Sequence, residues 1–205
     1  MKVAITGTSG LAKNIKDTLE GTAIDGSWIE VVTPRIEDII NNDTKWYGFS
    51  QVDVFINFAH KGFDQTKILD IAHRVWKDDD SKFVINFSSR ASQPNISKGH
   101  LYASQKASLN HLSNNLTYNS DKKYKLTTIN LGLLNHNELP SLDWVDVCRL
   151  IHYIITAIPR IEIPDITIQQ HANYQSVQRH KEVLKYRESK QKNFKDEYEY
   201  WIEES

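Results

Sequence analysis

The sequence predicts an α/β protein with a doubly wound parallel sheet that is covered by helices on both faces. Short apolar segments rich in β-branched residues alternate with longer segments of helical periodicity along most of the chain. The strand segments are mostly apolar, as expected for strands that are buried on both faces. The first strand segment leads directly into a glycine-containing turn and an amphipathic helix, which is how a βαβ unit begins.

The predicted elements follow one another in chain order. Strands are expected at KVAIT, WIEVV, DVFINFA, KFVINFS, LTTINLGL and DITIQQ, which are residues 2–6, 28–32, 53–59, 82–88, 126–133 and 165–170. Helices are expected at LAKNIKDTLE, KILDIAHRVWK, YASQKASLNHLSNNLTYN and WVDVCRLIHYIITAI, which are residues 11–20, 67–77, 102–119 and 144–158.

The composition limits the class of protein. With 205 residues, of which 40% are hydrophobic and 25% charged, the chain suits one compact domain with an appendage. Its net charge of -1 indicates neither a nucleic acid nor an acidic membrane as partner. The single cysteine, Cys148, excludes an intramolecular disulfide and a cysteine-based zinc site, and no metal site is predicted. No apolar segment is long enough to span a membrane and the N-terminus resembles no signal peptide, so we expect a cytoplasmic protein.

The composition changes near residue 170. Residues 1–170 carry the alternating pattern, whereas residues 171–205 are highly charged and are predicted to form a C-terminal helical extension. One apolar stripe of this extension, at helical spacing, consists of Phe194, Tyr198, Trp201 and Ile202. The stripe is expected to pack on its own domain or on another subunit. The basic run before it is interpreted as a solvated helix face rather than a nucleic-acid site.

The turn after the first strand, TGTSGLAK, has the features of a phosphate-binding turn. Gly7 and Gly10 permit unusual backbone angles and leave room for a pyrophosphate. The helix that begins near Leu11 offers N–H groups and a favourable dipole, and Thr8 and Ser9 add hydroxyl donors. A glycine pair alone is a weak signal, and its place after the first strand strengthens it.

The end of the second strand indicates which dinucleotide is bound. An acidic residue there binds the ribose 2′-hydroxyl of NAD, whereas an arginine accommodates the 2′-phosphate of NADP. In this sequence the strand is followed by Thr33, Pro34 and Arg35, and Glu30 is placed in mid-strand. NADP(H) is therefore favoured over NAD(H).

Tyr102 and Lys106 lie four residues apart on a predicted helix, so their side chains share one face. A tyrosine hydroxyl exchanges protons near neutral pH when a nearby cation stabilises its phenolate form. Ser88 and Ser89 end the preceding strand, fourteen and thirteen residues before the tyrosine, and a serine hydroxyl there could hold a substrate oxygen. These residues predict a proton-transfer site.

With these motifs in order, the sequence resembles the short-chain dehydrogenase/reductase family over roughly residues 2–170. The matching segments are TGTSGLA, NFAH for the family's Asn-Asn-Ala-Gly, FSS, YASQK for Tyr-x-x-x-Lys, and INLGL for the Asn-x-x-x-Pro-Gly region. The resemblance implies a Rossmann-like, NAD(P)-binding domain over residues 1–170 and an oxidoreductase that interconverts a carbonyl and an alcohol on a small-molecule substrate. It also implies a homodimer or homotetramer formed through the long helices.

The resemblance implies a role for each matching residue. Tyr102 would be the proton donor or acceptor, Lys106 would support it and bind the nicotinamide ribose, and Ser89 would orient the substrate carbonyl, with Ser88 as the substitute. Asn57 would brace a strand beside the cofactor, and Gly132 would let the backbone pass close to the nicotinamide. The expected cofactor-binding residues are Gly7, Thr8, Ser9, Gly10, Leu11, Arg35, Asn57, Ala59, Tyr102, Lys106 and Gly132.

Four departures from the family pattern lead to further expectations. The short passage between the second and third strands implies that one strand of the family's sheet is reduced or absent. His60 replaces the final glycine of its motif and is read first as a packed or partly exposed loop residue, and second as a cofactor or substrate contact. No asparagine after Asn57 matches the extra catalytic asparagine of many members, so its water relay is missing or filled differently. The short loop LLNHNELPSL implies an open pocket, or one covered by the tail or another subunit, and its His136, Asn137 and Glu138 are expected to be solvated.

Two other functions remain open at this point. A sugar-nucleotide reductase or epimerase of the family's extended branch would use the same three residues, but 205 residues leave no sizeable substrate domain. A protein that binds NADP without turnover and acts as a sensor or scaffold would fit the shortened strand region and loop. The retained serine, tyrosine and lysine favour catalysis.

Overall fold

The protein is described from a computed structural model, which describes residues 1–24, 26–42, 48–93, 99–134, 141–156 and 161–171, together with Lys185. The strands are β1 (Lys2–Ile5), β2 (Ala23–Ile24), β3 (Ser27–Trp28), β4 (Glu30–Val32), β5 (Val54–Asn57), β6 (Phe83–Ser89), β7 (Lys125–Leu131) and β8 (Asp165–Ile168). The helices are α1 (Gly10–Glu20), α2 (Ile36–Asn42), α3 (Gly48–Gln51), α4 (Asp64–Trp76), α5 (His100–Asn119) and α6 (Trp144–Thr156), with a 3-10 turn at Arg90–Ser92.

Six strands form one sheet in the order β4-β1-β5-β6-β7-β8, and all neighbouring pairs in it are parallel. From β1 the chain first goes to β4 on one side and then to β5 on the other, so the strand order reverses at β1. In open α/β sheets the ligand crevice lies at such a reversal, outside the carboxyl ends of the strands. The residues after β1, β5 and β6 therefore lie along one edge of the sheet.

Two apolar layers hold the sheet between its helices. Val3, Ile56 and Ile85 face α1 and α6, whereas their strand neighbours Phe55 and Val84 face α4 and α5. This alternation follows from the two-residue period of a strand, and it explains why most residues on both faces of the strands are apolar. The predicted doubly wound parallel sheet is confirmed.

All six predicted strands and all four predicted helices are present within a few residues of their predicted bounds. The segment WIEVV, however, is not one strand. Trp28 belongs to a small antiparallel hairpin of β2 and β3, where it is 68% exposed, and only residues 30–32 enter the main sheet. Gly26 lies in the hairpin turn with a positive φ of 79°, a conformation that glycine adopts without strain.

The passage between β4 and β5 contains two short helices, α2 and α3, that were not predicted individually. Within its described parts, residues 33–42 and 48–53, no strand is present, as expected from the shortness of this passage. Among the described ranges no helix is long and apolar enough to cross a membrane. The predicted tail stripe, from Phe194 to Ile202, and the loop residues His136, Asn137 and Glu138 lie outside the described residues, and the boundary between residues 1–170 and 171–205 stays a prediction.

Candidate active site

The glycine turn connects β1 to α1 at the carboxyl edge of the sheet. Gly7 and Gly10 have φ values of 104° and 56°, which disfavour any other residue. A Cβ on Gly7 would also lie 3.3 Å from the Cβ of Ala12, so a side chain there would crowd the first turn of α1. Thr8, Ser9 and Gly10 are exposed at the start of α1, where the first N–H groups of a helix have no intrahelical acceptor. The turn therefore has the geometry of an anion cradle.

Leu11 is the one predicted turn residue whose side chain faces away from this cradle. It is 4% exposed and packs in the apolar layer under α1 and α6. Only its backbone N–H, in the first turn of the helix, is placed where a phosphate could accept from it.

Thr6, the last residue before the turn, joins the ends of two strands. Its buried hydroxyl oxygen accepts hydrogen bonds from the N–H groups of Phe58 at 3.0 Å and Ala59 at 2.9 Å. This contact holds the loop after β5, which contains the predicted cofactor residue Ala59, against the glycine turn. The sequence analysis did not identify Thr6, and a polar residue that ends an apolar strand was the available signal.

Asn57 is buried at the end of β5. Its Nδ2 donates to the backbone oxygen of Gln65 at 2.8 Å and to Oδ1 of Asn86 at 3.0 Å, and no partner for its Oδ1 is found among the described residues. Asn86 is its register neighbour on β6 and in turn donates to the hydroxyl of Ser113 on α5. The pair therefore ties β5 to α4 and β6 to α5. Asn86 lies between Asn57 and Ser89 in the sequence, where many family members have their extra catalytic asparagine. It is on strand β6, however, and its hydrogen bonds join Asn57 and Ser113 rather than Lys106.

Lys106 is 4% exposed, although it is a lysine on a helix that begins at the surface. Its Nζ donates to Oε1 of Gln65 at 2.6 Å and to the backbone oxygen of Phe87 at 2.8 Å. Burial lowers the pKa of Lys106 to about 8, because its charged form has lost the solvation of water. Its Nζ lies 5.8 Å from the ring centre of Tyr102. The lysine and tyrosine that the sequence paired are thus neighbours in the fold.

Tyr102 lies in the first turn of α5 and is 40% exposed. The ring of His60 packs edge-on against it, with 5.0 Å between the ring centres. Partial burial and the positive charge of Lys106 lower the pKa of His60, against a hydrogen bond with Gln105 that raises it. His60 is exposed, which agrees with its first interpretation as a packed or partly exposed loop residue, and the ring contact places it beside the tyrosine.

Ser89 and Ser88 lie on opposite faces of β6. The Oγ of Ser89 accepts a hydrogen bond from the N–H of Ala91 at 3.1 Å, and no acceptor for its own proton is found within the described ranges. Ser88 is buried against α5, with its Oγ 3.5 Å from the backbone oxygen of Lys106. A hydroxyl that donates to a substrate oxygen is therefore available at Ser89 rather than at Ser88.

A chain of polar side chains anchors the turn after Ser89. Ser92 donates to the backbone oxygen of Ser89 at 2.6 Å, and Nδ2 of Asn110 on α5 donates to Ser92 at 2.8 Å. Asn110 also donates to Asn130 on β7, and Asn130 donates to Asp165 on β8, each at 2.8 Å. These bonds link the turn after Ser89 to α5, α5 to β7 and β7 to β8, and so they hold the turn in place against α5. None of these residues was identified as a support for the serine from the sequence.

Arg35 and Gly132, at opposite ends of the site, meet different surroundings. Arg35 is exposed just before α2, three residues after the end of β4, whereas Glu30 begins β4 and pairs with Lys2 at 2.9 Å. No acid ends this strand, as the sequence predicted.

A Cβ on Gly132 would lie 3.0 Å from the Cβ of Gln169 beyond β8. Close packing against the residues after β8 therefore favours glycine there, whether or not the backbone also approaches a nicotinamide.

Gln65 is a further residue of this region that the sequence analysis missed. Its Nε2 donates to the backbone oxygens of Asn57, Phe58 and Phe87 at 2.8, 3.2 and 3.1 Å, while its Oε1 accepts from Lys106. The available signal was a polar residue on the apolar stripe of α4, three and four residues before the buried Ile68 and Leu69. Among the described residues no group of His, Cys, Asp and Glu is placed to hold a metal ion.

Known structures share this arrangement of strands and helices. No protein-family model and no curated protein matches the sequence. Serine dehydrogenase from Escherichia coli matches with a TM-score of 0.62 and 16% identity, over 84% of this chain and 100% of that one. An alcohol dehydrogenase from the archaeon Thermococcus sibiricus, complexed with 5-hydroxy-NADP, matches with 0.63 and 14%, over 85% and 100%. A gluconate 5-dehydrogenase from Burkholderia cenocepacia J2315, in complex with NADP and tartrate, matches with 0.62 and 11%, over 82% and 92%. The Rossmann-like fold that the sequence resemblance implied is therefore confirmed.

Proposed function

We propose that the protein is a short-chain dehydrogenase/reductase that uses NADP(H) to interconvert a carbonyl and an alcohol on a small substrate. The observation that carries this proposal is the pair of Tyr102 and Lys106 at the carboxyl edge of the sheet. A buried ammonium lies 5.8 Å from the centre of a tyrosine ring that remains accessible to substrate. The fold and the order of motifs in the sequence support the same conclusion.

The residues around the strand reversal fit a dinucleotide. The exposed glycine turn offers the N–H groups of α1 to a pyrophosphate, and the positive φ angles of Gly7 and Gly10 keep that approach open. Arg35, which is exposed three residues after the end of β4, is assigned to a ribose 2′-phosphate, and this supports NADP(H) over NAD(H). The other residues assigned to the cofactor are Thr8, Ser9, Leu11, Asn57, Ala59, Tyr102, Lys106 and Gly132. When bound, the nicotinamide would supply or accept the hydride.

The side chains of the chain itself handle the proton and the oxygen. Tyr102 donates a proton to the carbonyl oxygen in reduction and accepts one from the alcohol in oxidation. Lys106 stabilises the tyrosinate through its positive charge, and it has one N–H donor beyond the two that the structure uses. Ser89 donates its hydroxyl proton to the substrate oxygen and so orients it beside the tyrosine.

Assembly and location are part of the same proposal. We expect a homodimer or homotetramer that associates through α5 or α6, whose outer faces expose Tyr118 on α5 and Val145 and Tyr153 on α6. The buried free thiol of Cys148 is compatible with the reducing cytoplasm, where we expect the protein to act.

The test begins with nucleotide affinity and then asks for turnover. Binding of NADPH and NADH is measured first by calorimetry, and NADPH oxidation is then followed with a panel of small aldehydes, ketones and keto acids. Tyr102→Phe should lower turnover by about 10²–10⁴-fold while NADPH affinity stays within a few-fold of the wild type, because only the proton donor is removed. Tyr118→Phe, which changes an exposed tyrosine on the same helix, is the matched control.

The outcomes separate the candidate functions. Binding without turnover on any carbonyl would favour the sensor or scaffold, and turnover only on nucleotide-linked sugars would favour the extended-branch enzyme. Full activity of the Tyr102→Phe protein would refute the catalytic assignment. No affinity for either nucleotide would refute the whole proposal.

A further inference from the structure

Gln65 has its carboxamide locked in one orientation. Its Nε2 donates to three backbone oxygens, those of Asn57, Phe58 and Phe87, and its side chain is 2% exposed. Three carbonyl oxygens can face only the NH₂ end of an amide, so the Oε1 end must point the opposite way. On that side it meets the ammonium of Lys106 at 2.6 Å. The ends of β5 and β6 thus set the position of a single acceptor for the lysine.

This acceptor is neutral, whereas the usual partner of a buried lysine is a negatively charged carboxylate. A buried ammonium is commonly balanced by a carboxylate, which also cancels much of its field. Lys106 is held instead by an amide oxygen and a backbone oxygen. Among the described residues, the titratable side chains beside it are Tyr102 on its own helix and His60 from the loop after β5, while β6 contributes the neutral Ser88. Its positive charge therefore remains available to the tyrosine.

We propose that Gln65 is the positioning residue for Lys106, which it holds beside Tyr102 through a neutral hydrogen bond without cancelling the charge. This proposal rests on the proposed function, because it explains how the same proton-transfer pair is held. The hydrogen bonds of the carboxamide go to three backbone oxygens and to Lys106, so it acts on the tyrosine through the lysine. If the position only filled space, the titration of Lys106 would not depend on which side chain stands at residue 65.

The test measures the titration of Lys106 directly, without substrate. Protein labelled with ¹⁵N-lysine is titrated by NMR, and the Lys106 signal is assigned by its loss in Lys106→Arg. In the wild type we expect it to titrate near the value of about 8 that burial imposes. Gln65→Leu removes the acceptor of the charged form and should move the midpoint down by about one pH unit. Gln65→Glu supplies a carboxylate at the same distance and should move it up by about as much.

A matched control separates this effect from the added charge. Gln51→Glu makes the same chemical change at an exposed position on α3 and should leave the Lys106 titration unchanged. Shifts of opposite sign at residue 65, with none at residue 51, would support the proposal. Equal titrations in the wild type and both residue 65 variants would overturn it, whatever their stability.

Two further readouts keep the proposal testable on its own. Gln65→Glu places a carboxylate oxygen against three carbonyl oxygens, and this repulsion disfavours folding. If this variant does not fold, the comparison of the wild type with Gln65→Leu remains. Equal Lys106 titrations in the wild type and in Gln65→Leu would then refute the proposal. If the protein turns over a carbonyl, the alkaline limb of its kcat/KM profile should move in the same direction as the NMR midpoint. An NMR shift without any turnover would count for Gln65 and against the enzyme.

Discussion

Two lysine–tyrosine pairs lie at opposite ends of α5. At its start Nζ of Lys106 is 5.8 Å from the ring centre of Tyr102, and just beyond its end Nζ of Lys122 is 5.4 Å from the ring centre of Tyr124. Both lysine side chains are almost fully buried. The two pairs have the same residue types at nearly the same distance, yet only the first lies at the carboxyl edge of the sheet.

The two pairs differ in the side chain that accepts a hydrogen bond from the lysine. Lys122 donates to the carboxylate of Glu162 at 2.6 Å, and that oxygen also accepts from the N–H of Leu126 at 2.7 Å. Tyr124 is 1% exposed, with its hydroxyl 3.2 Å from Nδ1 of His73, and burial raises its pKa well above the usual value. Lys106 has the neutral Gln65 instead. A lysine beside a tyrosine is therefore not in itself a proton-transfer pair: the charge must be left unbalanced and the hydroxyl must be accessible.

The largest effect should come from removing each lysine in turn. Lys106→Met should lower kcat/KM by about 10²–10⁴-fold, because the tyrosinate loses its stabilising charge. Lys122→Met should leave kcat/KM unchanged and lower the free energy of unfolding by about 1–3 kcal/mol, because Glu162 loses its cation. Steady-state kinetics and urea unfolding of both variants provide the measurements. Similar activity losses in the two variants would show that the two pairs do not differ in role.

The main elements of the sheet and the proximity of Tyr102 and Lys106 were predictable because both depend on local spacing. The strand Phe83–Ser89 is apolar except for Asn86 and ends in two serines, and Tyr102 and Lys106 are four residues apart on a helix. The choice between the serines also follows from local order, since neighbours on a strand face opposite sides. Such patterns predict the structure well because each one involves the residues of a single helix or strand.

The support of the pair was not predictable in the same way. Gln65 reaches Lys106 across 41 residues of sequence, and Asn57 meets Asn86 only because β5 and β6 pair in that register. Trp28 was placed in the sheet because it continues an apolar run, whereas the turn at Gly26 folds it into a hairpin. Contacts of this kind depend on how separate elements pack, which spacing along one element does not encode.

An intermediate effect is expected on stability in alkali. The pKa of Lys106 is about 8 in the folded protein and near 10.5 in the unfolded chain, so between these values the unfolded state binds more protons. The contribution of Lys106 to the free energy of unfolding should therefore rise with pH across this window, by on the order of 3 kcal/mol. Well below pH 8 both states are protonated and the contribution is constant.

Urea unfolding of the wild type and Lys106→Met at several pH values from 7.5 to about 10.5 isolates this contribution, because the other titrating groups are common to both proteins. The difference between them should rise with pH. Lys77→Met, which removes an exposed lysine, should run parallel to the wild type. A constant difference between wild type and Lys106→Met would mean that Lys106 is not desolvated in the folded protein.

The smallest effect should come from giving Lys122 a neutral partner like that of Lys106. Glu162→Gln keeps an acceptor for Lys122 and Leu126 but removes the charge, and Glu162 is about one-third exposed, so solvent already screens the pair. We expect the free energy of unfolding to fall by about 1 kcal/mol and Tm by about 2–4 °C, with kcat/KM unchanged. Glu20→Gln, which neutralises an exposed pair with Lys16 on α1, should change Tm less. Calorimetry of both variants measures this, and a loss of turnover in Glu162→Gln would mean that the far pair is coupled to the site after all.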